Sequence, residues 1–505
     1  MEKNEKKEIG YGVILSYSLL LISAFSGFFI TPYVLQYVGE SAYGVYKSVS
    51  SISASLAIAD LGLGTTTTRY MAKYFTEDDH KGASNFLGMV LLQLLLLSLV
   101  VLCVGVFSVI KLPVFYQNGF NETELILGRQ LLSVLVINMV LHLFGNLLFG
   151  VLGGYQKFLF SNSVKLGTVL IRILLIFLVL PLFSNVLVIV LLDAVIAVVT
   201  VLVYGFYIVC RLNIKPQFCK WDMNLFKESA GYTILMFIQS ITVQFNGNVD
   251  NILLGAQVGA VHVTIYSMAL LVFGMYENLS GSIANIMLPT VTRQVLSGAD
   301  SNSLQRTVEK AGRFQLLLLA AALGGFLVLG KDFYKIWLGN NYSDCYYLVL
   351  ILIVPVTFPM VQNVVLSVLR AKNRMIYRTV TLAVACLFNI VMTIVGIRLW
   401  GYWGAAIGTA FATILNFVMM NLYYHKILHF HILRMYWNIF KKVMPSALLA
   451  TLVTYEIRQL MQCSLVSFVA CAIVFLVIYG VSLLLVGVSQ EERKILLSRL
   501  VRNRR

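Results

Sequence analysis

The residues of this chain that could act on a ligand are charged side chains inside long apolar segments. Arg172 and Asp193 lie near the middle of two consecutive segments, and Lys47 and Asp250 lie near the ends of two others. A charge in the core of a bilayer costs about 2.5 kcal/mol or more, so it is usually paired or functional. The planar guanidinium of arginine binds two oxygen atoms of an anion at once. These residues therefore predict either anion recognition or ion pairs between helices.

A second group of polar side chains falls within one apolar segment, at every second position from Ser240 onward; it includes Gln244, Asn246, Asn248 and Asp250. This spacing distributes polarity around a regular helix, which a bilayer tolerates only if the helix is buried in protein or lines water. We expect a bent helix beside a cavity, although an amide ladder that only joins helices is the alternative.

Two further acids, Asp60 and Glu277, are candidates for binding protons or sodium ions. For Asp60, a capping role next to Gly62 and Gly64 is the alternative. The sequence has no H-E-x-x-H motif and no G-x-x-x-x-G-K-S/T loop, and its seven cysteines are scattered. We therefore expect no catalytic residue, no metal and no cofactor, and a driving force that comes from an ion or substrate gradient.

The elements that carry these residues are spanning helices. Hydrophobic residues make up 59% of the chain and the mean hydropathy is +0.85, too apolar for a soluble globule. A spanning helix needs about 20 apolar residues. About 14 segments qualify: 11–34, 43–63, 86–110, 128–152, 163–182, 185–209, 227–256, 260–289, 314–330, 344–368, 376–396, 402–424, 440–458 and 465–488. The sequence predicts an all-α polytopic membrane protein.

The basic residues predict the orientation of these helices. When the segments cross alternately, thirty of the 38 Lys and Arg residues fall on one side, which the positive-inside rule assigns to the cytoplasm. We then expect both termini to be cytoplasmic and the membrane to be an inner membrane. Insertion and the anionic inner leaflet account for the net charge of +16, so we expect anionic lipids and no nucleic acid as partners.

An internal repeat with an offset of about 220 residues organises the chain. Val38-Gly39 with Tyr46 matches Val258-Gly259 with Tyr266, Thr68-Arg69 matches Thr292-Arg293, and Val151-Leu152 matches Val368-Leu369. The repeat predicts two six-helix lobes, 1–220 and 221–430, followed by a helix pair and a basic tail in 431–505. The alternative is that short loops of membrane proteins share Gly, Tyr and basic residues by chance.

Several of these stretches resemble a known family. They are Val38-Gly39 to Tyr46, Asp60 to Tyr70, Asp250 to Gly255 with Tyr266-Ser267, and Gly401 to Thr409. The chain resembles the polysaccharide-export branch of the multidrug/oligosaccharidyl-lipid/polysaccharide exporter superfamily, the Wzx-type oligosaccharide flippases. The resemblance implies a flippase that moves undecaprenyl-pyrophosphate-linked oligosaccharide repeat units from the inner to the outer leaflet by alternating access. A polysaccharide polymerase complex is a further implied partner.

The resemblance gives the charged residues possible roles. Arg172 and Lys47 would line a cationic path for the diphosphate; Arg172 could instead lock helices by pairing with Asp193. Lys47 could pair with Asp250 to close an outer gate, or extend to the interface. Arg69 and Arg293 would border the inner mouth, although the positive-inside rule alone predicts basic residues there. Alternative functions are a lipid II or teichoic-acid precursor flippase and a cation-coupled drug exporter of the same superfamily.

Overall fold

The chain is all-helical in the computed structural model, which describes residues 26–56, 63–217, 247–372 and 374–487 together with residues 15, 18, 19, 22 and 244. No strand occurs within these ranges. Ten helices in this part are long and apolar enough to cross a membrane. The prediction of an all-α polytopic membrane protein is confirmed.

Four of the fourteen predicted segments are not among these ten. Segments 11–34, 43–63 and 227–256 each include residues outside the described ranges. The fourth, 440–458, lies within a helix from Ile432 to Gln459, which carries Lys441, Lys442 and Arg458 and falls short in hydropathy.

The chain divides into two compact units, Met1–Ser267 and Met268–Arg505. In the first unit the helices are α1 (26–38), α2 (Glu40–Leu56), α3 (Leu63–Thr76), α4 (His80–Phe115), α5 (Glu122–Gly154), α6 (Phe158–Phe183), α7 (Val186–Arg211) and α8 (247–257). Helix α9 (Ala260–Leu296) begins in this unit and ends in the next. The second unit continues with α10 (Ser301–Trp337), a 3₁₀ turn (Asn340–Tyr342), α11 (Ser343–Val361), α12 (Val365–Ala371), α13 (Ile376–Trp400), α14 (Tyr402–Leu428), α15 (Ile432–Gln459) and α16 (Leu465–Ser482) with a π turn (Leu483–Gly487).

Helix α5 is central to the first unit and packs against α2, α3, α4 and α7. Its first turn is fixed by a capping box, in which Asn121 and Glu124 each bond the other's backbone N–H. In the middle of α5, the buried Asn138 Nδ2 donates to the Val190 carbonyl of α7 over 2.9 Å. Because this bond fixes the depth of α7 against α5, it also sets the position of Asp193, less than one turn further along α7.

The second unit contains a tight helix pair, α13 and α14. Gly401 turns the chain between them with φ of +58°, a left-handed conformation that glycine adopts without strain. A Cβ at Gly396 or Gly404 would overlap the backbone of the facing helix, so the two helices pack in direct backbone contact. The predicted segment 344–368 is two helices, since α11 ends two residues after Pro359 and α12 begins at Val365.

The two compact units and the two predicted lobes are defined by different criteria. The lobes 1–220 and 221–430, with 431–505 appended, come from the internal repeat, and they stay a prediction. The repeated glycines both have a positive φ: Gly39 between α1 and α2 has φ of +83°, and Gly259 between α8 and α9 has φ of +117°. Each of the two matching sequences therefore turns at a glycine with a positive φ.

Candidate functional site

The charged centre of the first unit lies on the hairpin of α6 and α7. Ser184 ends α6 with φ of +45°, and the Asn185 side chain caps α7 by accepting from the Leu187 N–H. This tight turn makes the two helices antiparallel neighbours. It brings Arg172 of α6 beside Asp193 of α7.

Arg172 and Asp193 form a bidentate ion pair. The Nε–Oδ1 distance is 2.5 Å and the Nη2–Oδ2 distance is 3.0 Å. The side chains remain 38% and 24% exposed, so the pair is accessible on one side. Tyr46 of α2 is a further polar neighbour of the guanidinium. The geometry contains the interhelical pair that was one of the two interpretations of Arg172, and part of the guanidinium remains exposed.

Both members of this pair line a cavity of about 290 Å³ inside the first unit. The other lining residues come from α5, α6 and α7: Leu141, His142, Gly145, Asn146, Lys165, Thr168, Val169, Ile196, Ala197, Thr200 and Tyr204. Two cations, Arg172 and Lys165, thus face one carboxylate. The Lys165 ammonium lies 3.4 Å from the centre of the Phe149 ring, which holds it without cancelling its charge. We call this the α6–α7 cavity.

Lys47 and Asp250 do not form the ion pair that the sequence suggested. The Lys47 ammonium lies over the rings of Tyr43 and Tyr46, at 5.4 and 5.8 Å from their centres. Asp250 is buried and accepts a hydrogen bond of 2.7 Å from the Tyr266 hydroxyl. The electron-rich rings on its own helix attract Lys47, and the phenol of α9 solvates Asp250. Each side chain is therefore satisfied locally.

Helix α2 is joined to α8 and α9 by buried polar contacts between residues far apart in sequence. Ser48 Oγ lies 3.0 Å from the Asn251 carbonyl and 2.9 Å from the Tyr116 hydroxyl, and Thr264 Oγ1 donates to the Glu40 carbonyl over 2.6 Å. A Cβ at Gly44 would overlap the Ala260 carbonyl, so α2 and α9 touch through their backbones. We call Gly44, Ser48, Asn251, Ala260 and Thr264 the α2–α8–α9 cluster.

Sequence reasoning missed this cluster, although a signal was present. Gly44, Ser48, Ser51 and Ser55 recur at spacings of three and four residues, which places small side chains on one face of α2. Such a face lets membrane helices approach closely and bond across the interface. The partner helices could not have been named, because they lie about 200 residues away in the chain.

Of the remaining predicted site residues, those that the structure describes are neither in the lining of the α6–α7 cavity nor in the α2–α8–α9 cluster. Asn248 Nδ2 donates to the Gln244 carbonyl over 2.8 Å, a bond within one helical turn. Asp60 and Asn246 lie outside the described residues. Glu277 is partly buried on α9 in the second unit.

Two basic residues predicted for the inner mouth are exposed. They are Arg69 on α3 in the first unit and Arg293 near the end of α9 in the second. Within the described ranges no group of three His, Cys, Asp or Glu side chains is placed to hold a metal ion.

The chain matches a known protein family. Residues 9–295, more than half of the chain, match the model of a family described as polysaccharide biosynthesis protein. A curated relative, the uncharacterized membrane protein EpsK of Bacillus subtilis (strain 168), is 24% identical over 335 residues. That alignment covers 64% of this chain and 64% of EpsK, which is less than two thirds of the relative's length.

Comparison with solved structures shows the fold. The lipid II flippase MurJ in an inward closed conformation has a TM-score of 0.74 at 13% identity, covering 93% of this chain and 97% of MurJ. An inward-facing multidrug resistance MATE family transporter of the MOP superfamily has a TM-score of 0.62 at 14% identity, covering 79% of this chain and 95% of that one. The fold is therefore one that a flippase and a drug transporter share.

Proposed function

We propose, because the chain belongs to the polysaccharide biosynthesis protein family, that it is a flippase for undecaprenyl-pyrophosphate-linked oligosaccharide repeat units. It would move them from the inner to the outer leaflet of a bacterial inner membrane by alternating access. The family and the fold neighbours are transporters and flippases rather than enzymes. A polysaccharide polymerase complex is a proposed partner, and the exposed Arg69 and Arg293 are proposed contacts for anionic lipids.

The observation that carries the proposal is the position of Arg172 in the α6–α7 cavity. Its guanidinium is held by Asp193 through Nε and Nη2 and remains partly exposed, and we assign its accessible edge to an oxygen of the diphosphate. Lys165 adds a second cation to the same lining, so the cavity is net positive. This charge favours an anionic headgroup over the organic cation that a drug exporter would carry.

Asp193 has a role in this proposal as the resting partner of Arg172. Without it, an unpaired guanidinium would be left at membrane depth whenever the cavity held no substrate. The Asp193 carboxylate also competes with the diphosphate for Arg172 and so weakens substrate binding. This is useful because a transport site must release its substrate. We assign Lys47, beside Tyr43 and Tyr46, to the same cationic path.

We assign the α2–α8–α9 cluster to the outer gate, in its closed arrangement. The charge bias of the loops places the start of α2 and the α8–α9 turn on the outer side. Backbone contact at Gly44 and Ala260 leaves no room for a headgroup between α2 and α9. Opening would separate these helices and break the Ser48 and Thr264 bonds. Asp60, Asp193, Asp250 and Glu277 are proposed for gating or ion coupling.

Transport in proteoliposomes tests the proposed function. The purified protein, reconstituted with an undecaprenyl-pyrophosphate-linked oligosaccharide that carries a fluorescent sugar, is expected to expose the inner-leaflet sugars to an external quencher within minutes. Protein-free vesicles should leave about half of the signal protected, since polar headgroups cross bilayers slowly. Movement of lipid II with no movement of the oligosaccharide would instead support the lipid II flippase alternative.

Cysteine labelling tests the proposed orientation. In a cysteine-free background, Ser343→Cys is expected to react with a membrane-impermeant maleimide in intact cells, because the charge bias places this exposed residue outside. Ser297→Cys, also exposed, should react only after permeabilisation. The opposite labelling pattern would overturn the topology.

A further inference from the structure

A second cavity lies in the other unit, between the end of α14 and the start of α15. It measures about 660 Å³, and apolar side chains form much of its wall: Phe417, Val418, Leu422, Ile432 and Leu433. Polar groups come from His425 in the last turn of α14, from His431 in the connecting turn and from Arg434 in the first turn of α15. We propose that this α14–α15 cavity binds an anionic phospholipid, with the phosphate at Arg434 and part of an acyl chain along the apolar wall.

The charges of the cavity are complementary to a phosphate. Arg434 is exposed and makes no ion pair or hydrogen bond within the described part of the chain. None of the lining residues is an aspartate or glutamate. The nearby Glu309 is occupied, because its two oxygens accept from Gln305 and Asn438. The guanidinium is therefore available for a bidentate contact with phosphate oxygens.

His425 adds a contact for a headgroup hydroxyl. Its Nδ1 lies 3.1 Å from the Phe430 carbonyl, an acceptor, so Nδ1 carries the proton and donates. In this tautomer Nε2 is an acceptor. A phosphate that carries a glycerol headgroup matches this pair of residues, because the phosphate meets Arg434 and a hydroxyl meets His425.

The cavity is preformed. The His431 backbone N–H donates to Gln305 Oε1 over 2.9 Å, and the Tyr436 hydroxyl donates to the Phe358 carbonyl over 2.9 Å. Phe430 and Met435 are buried on either side of the first turn of α15. Because α10 and α11 hold the α14–α15 turn in this way, a bound lipid does not have to order this turn.

The apolar wall continues into side chains that face outward. Leu433 and Trp437 are 88% and 68% exposed, which is favourable only if hydrocarbon surrounds them. A guest can therefore enter from the bilayer.

Native mass spectrometry of the full-length protein in detergent tests the proposal with dioleoylphosphatidylglycerol and dioleoylphosphatidylcholine. We expect the first phosphatidylglycerol molecule to bind about fivefold more tightly than phosphatidylcholine, the effect of one cation near a phosphate. Arg434→Gln should remove this preference. Val418→Trp, which fills the apolar wall without changing charge, should remove it too. The matched control is Lys426→Gln, because Lys426 is exposed near the same end of α14 but does not line the cavity.

Three results would overturn the proposal. The preference could persist in Arg434→Gln, or it could fall equally in Lys426→Gln, which would indicate diffuse surface attraction. The third result concerns competition for the bound phosphatidylglycerol. If undecaprenyl phosphate displaces it and a tenfold excess of a second phosphatidylglycerol does not, the cavity is an entry site for the carrier lipid. These outcomes do not depend on which sugar the protein moves.

Discussion

Arg172→Ala is expected to abolish surface polysaccharide while the protein remains in the membrane. The change removes the guanidinium that faces the α6–α7 cavity, and loss of one partner of a charge-assisted contact costs about 2–5 kcal/mol, or about 30-fold or more in binding. Arg172→Lys should recover part of the activity, because the charge returns without the planar fork. The measurement is surface polysaccharide normalised to membrane-embedded protein.

The pair with Asp193 supplies the control for Arg172. If the protein itself disappears from the membrane in Arg172→Ala, the pair is structural, since a buried acid without its partner destabilises the fold by several kcal/mol. Partial exposure of both side chains reduces this penalty here. Changing Arg172 and Asp193 together to leucine should restore abundance without transport. Transport by this double variant would contradict the proposed site.

Gly44→Ala is expected to stop transport by blocking closure of the α2–α8–α9 cluster. The added methyl group would overlap the Ala260 backbone carbonyl, which cannot rotate away as a flexible side chain can. Alanine stabilises a helix by about 1 kcal/mol relative to glycine. The loss of transport would therefore not come from a weaker α2 helix. The measurement is flipping in proteoliposomes, together with outward accessibility of a cysteine placed at Ser48.

The matched control is Gly205→Ala on α7, where a Cβ would meet no atom within 4 Å. This variant should keep normal transport and equal or higher thermal stability. If Gly44→Ala transports as well as Gly205→Ala, backbone contact between α2 and α9 is not part of the transport cycle. Increased accessibility at position 48 without loss of transport would likewise remove the cluster from the gate.

The sequence by itself determined the class of the protein. A spanning helix, its orientation and the cost of a charge within it each depend on one local segment and its flanking loops. Apolar runs and isolated charges can therefore be recognised directly along the sequence. The same cost identified Arg172 and Asp193 as unusual before their geometry was known. Their pairing was one of two open interpretations because it depends on the rotation and depth of two helices.

The tertiary structure decided which residues meet. Lys47 lies over the rings of Tyr43 and Tyr46 rather than beside Asp250. Equal depth in the membrane does not make two side chains meet, because neighbouring rings also determine the direction of a side chain. Contact between α2 and α9 joins residues about 220 positions apart, and no periodicity within one helix encodes its partner. The α6–α7 cavity was hidden for the same reason, since its lining combines three helices whose relative heights are fixed by packing and by bonds such as Asn138 to Val190.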